Sequence, residues 1–237
     1  MNQPTEIGRV ARLYRYPVKS MRGEALDGIA LGWTGLDGDR QYAFHKPTAP
    51  SRFPWFTARI HAEMVLYTAR YGAADTKTAP VAVTAPDGAV FDVASPGLTA
   101  RFADAAGMAV GMIRLGRGCH DSLPVSVIGQ GTIDDLSAAH GTAVGIDRFR
   151  PNIVIDAGRE RDWLDKTLIF GDPDNGVRLQ VNRPIERCAF ITVDPETAAR
   201  DATLMRTVVE NFNNEIGVHC VPERLGGLAP GMKVWLA

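Results

Sequence analysis

The stretch Pro184-Ile185-Glu186-Arg187-Cys188-Ala189-Phe190-Ile191-Thr192-Val193-Asp194-Pro195 sets a single thiol beside a guanidinium, ahead of an apolar run that stops at Asp-Pro. Upstream, Phe149-Arg150-Pro151-Asn152-Ile153-Val154-Ile155 places an arginine and an asparagine at the mouth of a second apolar run. Short apolar runs bounded by turn-forming residues read as β-strands. A thiol flanked by fixed cations loses its proton more readily, and the thiolate is a soft metal ligand or a nucleophile. Guanidinium and carboxamide groups match a polyanion with polar edges. Together the two stretches point to an anionic, metal-containing cofactor held at the ends of strands.

Working outward, the same reading gives strands over Ile7–Val18, Ala25–Leu31 and Gln41–His45, with the Gly- and Asp-rich turn Trp33–Arg40 between the last two. The three prolines between Lys46 and Trp55 predict a loop. Asp87-Gly88 joins Val81–Thr84 to Ala89–Val93 as a hairpin. Ser95-Pro96 opens a helix that fades at Gly107. Strands follow at Val110–Leu115 and Pro124–Ile128. Thr132, with Asp135 three residues on, reads as the N-cap of a helix that Gly141 closes. Ile153–Ile155, Leu168–Phe170, Val177–Val181 and Ala189–Val193 read as strands. Thr203–Glu215 carries helical periodicity and stops at Gly217, and Lys233–Leu236 is a last strand. Many short strands with two or three helices make an α+β, mainly β chain, barrel-like in architecture.

At 237 residues, with 45% hydrophobic and 22% charged side chains, the chain can bury a substantial core and is not a disordered one. Its net charge of −1 provides no global field for nucleic acid or anionic lipid, so any cationic site is local. The expected partners therefore include no nucleic acid and no membrane. No signal sequence or spanning segment is visible, which gives a cytoplasmic location as the expectation. The three cysteines, Cys119, Cys188 and Cys220, form no C-x-x-C pair, which argues against a structural zinc site or an iron–sulfur cluster held by this chain.

The motifs resemble the MOSC family, the domain shared by molybdenum-cofactor sulfurase C-termini and the amidoxime-reducing molybdoenzymes, together with the β-barrel domain that precedes it in many members. The N-terminal part of the resemblance is Tyr16-Pro17-Val18-Lys19-Ser20, Gly35-Leu36 and Asp39-Arg40. The C-terminal part is Asp121-Ser122, Thr132-Ile133-Asp134-Asp135-Leu136, Arg148-Phe149-Arg150-Pro151-Asn152, Asp162-Trp163, and Arg187-Cys188 with Thr192-Val193-Asp194-Pro195. It implies a MOSC-type β-barrel with flanking helices over residues 116–237 and an N-terminal β-rich domain over residues 1–115. Molybdenum cofactor (molybdopterin carrying the metal) is the implied cofactor, with Cys188 as its thiolate ligand. Lys19, Ser20 and Arg40 would hold the phosphate, and Arg150 and Asn152 would contact the pterin or phosphate region. Arg187 would flank the metal, with Asp121, Ser122 and Thr132 nearby. Pyridoxal phosphate belongs to another domain of the sulfurases, and no site for it is apparent. Glu186 departs from the pattern, in which a small polar residue often stands, and Ala198 replaces a glycine.

The residues also speak for themselves. Arg150 and Asn152, two steps apart, share a side of an extended chain. Asp162-Trp163 reads as a structural anchor, with Trp163 in the core. Cys119-His120 and His219-Cys220 are poor metal pairs, since neighbours on a strand point to opposite faces. The expected function is reduction of N-hydroxylated or N-oxygenated small molecules, with Cys188 tuning the metal and Asp121 or water supplying protons. Since the chain has no flavin, dinucleotide or cluster motif, the electrons would come from a separate electron-transfer protein. The alternatives are a sulfur carrier (sulfurtransferase) using a Cys188 persulfide, and a non-catalytic cofactor-binding module.

Overall fold

The computed structural model describes residues 3–48 and 53–237. Among them, seven strands close a barrel: β1 (Thr5–Arg15), β2 (Val125–Gly129), β3 (Ile153–Ile155), β4 (Thr167–Phe170), β5 (Val177–Glu186), β6 (Glu215–Arg224) and β7 (Lys233–Leu236). Around the barrel they run β3-β2-β6-β5-β4-β7-β1, and β1 closes the circle on β3. β2 and β3 are parallel and the other neighbours antiparallel. A parallel pair needs a crossover, here made by the helix α2 (Gln130–His140). The mainly β architecture with flanking helices is thus the expected one.

Within the barrel β1 serves two neighbours. Its first half pairs with β7 and its second half with β3, with register shifts at Glu6/Gly8 and Val10/Arg12. Val10 and Leu13 point into the barrel, beside Val127, Ile153, Ile155, Trp163, Leu179, Val181, Val218 and Cys220. Residues 5–15 therefore complete a core otherwise built mostly from residues beyond 124. A second core gathers Phe44, Phe56, Tyr67 and Phe102, where Phe44 and Phe102 meet edge-to-face at 4.8 Å. A third lies under α2 and α3 (Ala202–Phe212), around Leu136, Phe149, Leu204 and Val208.

The punctuation worked where local chemistry decides. α1 (Pro96–Ala106) has Ser95 as N-cap, its hydroxyl accepting from the Leu98 N–H at 3.3 Å, and Gly107 in the left-handed conformation. Four expectations need correction. Thr132 is no N-cap: α2 begins at Gln130, and Thr132 is buried inside the helix. Ala189–Val193 is no strand but a 3-10 turn over Ala189–Thr192, tied by the Thr192 hydroxyl to Ala189 O at 2.8 Å. Burial of Ile191 and Val193 produces the same apolar run in either conformation. Ala25–Leu31 is two strands, Glu24–Ala25 and Ile29–Gly32, facing different partners. α3 ends at Asn213, where Asn213 and Asn214 both take positive φ and turn the chain into β6, a strand the sequence reading missed. The loop expected over Lys46–Trp55 lies partly outside the described residues, and Trp55–Phe56 pairs with Phe44–His45.

Candidate functional site

Construction of the site starts at Tyr16. Its backbone O accepts from Arg40 N at 2.7 Å, and Pro17 O accepts from Tyr42 N at 3.1 Å, so the segment Pro17–Ser20 lies against Arg40–Tyr42. Asp39 is buried. Its carboxylate accepts from Tyr16 N at 2.8 Å and pairs with the Arg40 guanidinium. The Asp39–Arg40 pair is thus part of the scaffold, not a surface ion pair. The buried Tyr16 ring underlies two guanidinium groups, Arg40 at 4.8 Å and Arg150 at 4.2 Å, and its hydroxyl donates to Pro151 O at 3.0 Å. Gly23 is required beneath it, because a Cβ there would lie 2.4 Å from the ring.

These contacts gather a cleft of about 540 Å³, within the usual range for small-molecule and cofactor sites. Lys19, Ser20, Arg40, Asp121, Ser122, Arg150, Asn152, Arg187 and Cys188 all line it. Thr132, expected near the cofactor, does not. Among the described residues, seven basic side chains (Lys19, Arg40, Arg59, Arg148, Arg150, Arg183, Arg187) face the cleft against two acidic ones, Asp121 and Glu186. In a chain of net charge −1 this is a strongly local positive field.

Three lining residues, Ser20 (φ 70°), Arg40 (φ 50°) and Arg150 (φ 54°), hold left-handed backbone that non-glycine residues seldom adopt. Such strain concentrates at functional sites. Arg150 follows the 3-10 turn Ile146–Phe149, so the extended geometry expected to align it with Asn152 is absent. Arg40 joins them instead, donating to Arg150 O at 3.0 Å and to Asn152 Oδ1 at 3.3 Å. Asn152 itself is buried and committed. Its Oδ1 also accepts from Ser126 N and Oγ, and its Nδ2 donates to Tyr14 O. Asn152 therefore aims Arg40.

Several polar atoms are buried with no hydrogen-bond partner among the described residues: Arg150 Nη2, Arg187 Nη2, Thr57 Oγ1, His120 Nε2 and His219 Nδ1. All five residues line the cleft. Burial, followed by repulsion from Arg40, pushes Arg150 down to about 10, and burial pushes Arg187 down to about 10. Both remain charged at neutral pH and would gain from an entering anion. Lys19 is also pushed down by burial, an effect opposed by Asp121 at 2.9 Å, and donates to Cys119 O at 2.8 Å. Ser122 accepts from Arg183.

Cys188 is exposed and lines the cleft, whereas Cys119 and Cys220 are buried. Burial pushes the Cys119 thiol up to about 11, and the Cys220 thiol is also raised by burial, deep in the barrel core. Cys188 is thus the thiol in position to act. Beside it Arg187 donates to Ile216 O at 2.7 Å and Phe149 O at 3.1 Å.

A buried carboxylate supports this wall from behind. Glu160 accepts from Gly217 N at 2.6 Å, Gly129 N at 3.1 Å and the Thr132 hydroxyl at 2.5 Å. Thr132 thereby reaches the cleft only through Glu160, Gly217 and Arg187. Gly217 (φ +81°) packs so closely that a Cβ would lie 2.9 Å from Ile128 and 3.0 Å from Arg187 Nη2. Gly217→Ala is expected to cost about 1–3 kcal/mol in urea unfolding, through strain and displacement of Arg187. Unchanged stability would show that this packing does not matter.

The sequence reading missed Tyr16 as a platform, and His120 and His219 as cleft-lining groups. The run Val218-His219-Cys220-Val221 carries the alternation that marks His219 as facing away from the barrel core. The described residues contain no group of three His, Cys, Asp or Glu side chains placed to hold a metal by themselves. Nor is any helix among them long and apolar enough to cross a membrane.

The fold resembles that of the YUAD protein from Bacillus subtilis, with a TM-score of 0.51 at 12% identity over 100% of this chain and 98% of that one. Over 83 residues the chain is 32% identical to "Mitochondrial amidoxime reducing component 2" of Bos taurus, a match covering 34% of this chain and 23% of that protein. It is 29% identical over 83 residues to "Molybdenum cofactor sulfurase 2" of Culex quinquefasciatus, covering 35% of this chain and 10% of that protein. The chain thus matches less than a quarter of the length of either relative. The family model for the MOSC N-terminal beta barrel domain matches residues 7–121, and that for the MOSC domain matches residues 116–235. On these matches, the chain belongs to the MOSC family.

Proposed function

We propose that the cleft binds molybdenum cofactor and that the loaded protein reduces N-hydroxylated or N-oxygenated small molecules, with electrons from a separate redox protein. One observation carries this reading: an exposed thiol shares a cleft with buried guanidinium nitrogens that have no partner among the described residues. The donor set fits such a group. Cations and strained backbone suit a phosphate, unpartnered imidazole and hydroxyl atoms suit pterin edges, and sulfur suits a soft metal. When bound, the cofactor supplies a metal centre able to exchange an oxygen atom together with two electrons.

The chain's own residues divide the remaining work. Lys19, Ser20, Arg40 and Arg150 anchor negative charge, with Arg40 aimed by Asp39 and Asn152. Arg187, propped by Gly217, holds positive charge beside Cys188, whose sulfur would be the protein's ligand to the metal. Asp121, exposed on its outer side and bonded to Lys19, links the cleft to bulk water for proton delivery. Conversion of an N–OH group to N–H consumes two electrons and two protons and releases water, so a donor protein must dock within reach of the cleft.

Protein produced in a host that makes the cofactor is expected to contain molybdenum and pterin at close to one per chain, by metal analysis and pterin fluorescence after denaturation. Absence of both would overturn the reading. The exposure of Cys188 also favours a second reading, sulfur carriage as a persulfide, because a donor protein could reach the thiol. A mass increase of about 32 Da on Cys188 after incubation with a desulfurase would support that role. Tight pterin binding without turnover, with any reduced donor, would instead indicate a cofactor-binding module.

A further inference from the structure

We propose that Glu186 selects substrates, and that the preferred ones are N-oxygenated compounds carrying a fixed positive charge, such as a protonated amine. This rests on the reductase reading above and adds the charge class of its substrates. The argument begins with an imbalance. Of the two acids lining the cleft, Asp121 is held by Lys19 at 2.9 Å, whereas Glu186 has no hydrogen bond or ion pair among the described residues. An unpaired carboxylate in a wall so rich in arginine has some other cation to meet, or none.

In the β5–β6 ladder Glu186 lies opposite Glu215. Arg161 approaches the Glu215 carboxylate at 3.3 Å, which leaves Glu186 as the uncompensated member. The β5 register shifts between Pro184 and Glu186, and such irregularities re-aim side chains beside functional sites. Glu186 and Cys188 are both exposed, while the half-buried Arg187 between them turns to Ile216 O and Phe149 O. Glu186 and Cys188 both line the same cleft. A substrate presenting its N–O group near Cys188 would therefore carry its other end past Glu186. The anionic cofactor would engage the basic side chains, leaving this carboxylate as the charge that the substrate meets.

The test uses cofactor-loaded protein, a chemically reduced viologen dye as donor, and three benzamidoximes bearing a para-aminomethyl, para-methyl or para-carboxylate group. The wild type is expected to rank them cation, neutral, anion in kcat/KM, with about tenfold between the first two, the scale of one nearby charge in a partly dry site. Glu186→Gln should bring the cation and neutral probes within about twofold, and Glu186→Lys should reverse the ranking. Calorimetric affinities of the corresponding non-reducible carboxamides should follow the same order. A wild type indifferent to probe charge, or a ranking that survives Glu186→Lys, would overturn the inference and leave the reductase reading standing. If no probe is turned over, the reductase reading fails, and the carboxamide affinities alone decide whether Glu186 recognises cations.

Discussion

Cys188→Ala is expected to lower N-reductase turnover by at least about a hundredfold while leaving the fold and the bound pterin in place. Residues that merely orient metal ligands cost about 10–100-fold when mutated, so loss of the ligand itself should cost no less. Stability should move by less than about 0.5 kcal/mol, since the residue is exposed and its side chain makes no cap hydrogen bond to the turn it precedes. Pterin should remain because the cations proposed to anchor it, Lys19, Arg40 and Arg150, come from other segments. Cys119→Ala and Cys220→Ala are the controls. Cys220 is fully buried in the barrel core, so its variant should lose stability and retain turnover per bound cofactor. Turnover surviving in Cys188→Ala would remove the sulfur from the chemistry. Loss of pterin in that variant would show that the thiol also anchors.

The second large effect is on pH-dependent stability. Burial, then Arg40, pushes His120 down to about 4, and burial, then Arg187 and Arg183, pushes His219 down to about 4. In the unfolded chain both titrate near 6.5. The folded state thus binds fewer protons than the unfolded one between these values, and stability falls as pH falls. The contribution is complete above about pH 6.5 and lost on descent toward 4, at most about 3 kcal/mol for each ring. Glu160 opposes the trend, because burial raises its carboxyl above the usual range and so favours the protonated form on the acid side. Urea unfolding of the ligand-free protein at pH 7 and pH 4.5 should show the net loss. His120→Asn with His219→Asn should flatten it. A profile already flat in the wild type would show that the two rings are not held neutral in the folded cleft.

Legibility followed distance along the chain. Ser95, Pro96 and Gly107 bounded α1 correctly because capping is a contact among residues three or four apart. Cys188, Lys19, Ser20, Arg40 and Arg150 could be singled out by their type and their place in motifs, and all line the same cleft. The details failed wherever a partner distant in sequence decided them. Thr132 has the composition of an N-cap, but its hydroxyl is taken by Glu160, 28 residues on. Asn152 lines the cleft, but only the structure shows that Ser126 and Arg40 engage its carboxamide oxygen and that one of its N–H groups goes to Tyr14 O. His219 was passed over because its strand was missed, and that strand is defined by pairing with β2 and β5.

By itself, then, the sequence determined the α+β, mainly β class, most strand positions, the bounds of α1, and the set of chemically able side chains. Periodicity, capping and residue chemistry are properties of neighbours. The tertiary structure alone decided that residues 5–15 close a barrel completed far downstream, that Tyr16 carries two guanidinium groups, and that Asp121 is paired while Glu186 has no partner among the described residues. Those outcomes depend on which segments meet in space. Hydrogen-bond satisfaction and charge pairing are settled only when the chain has closed on itself.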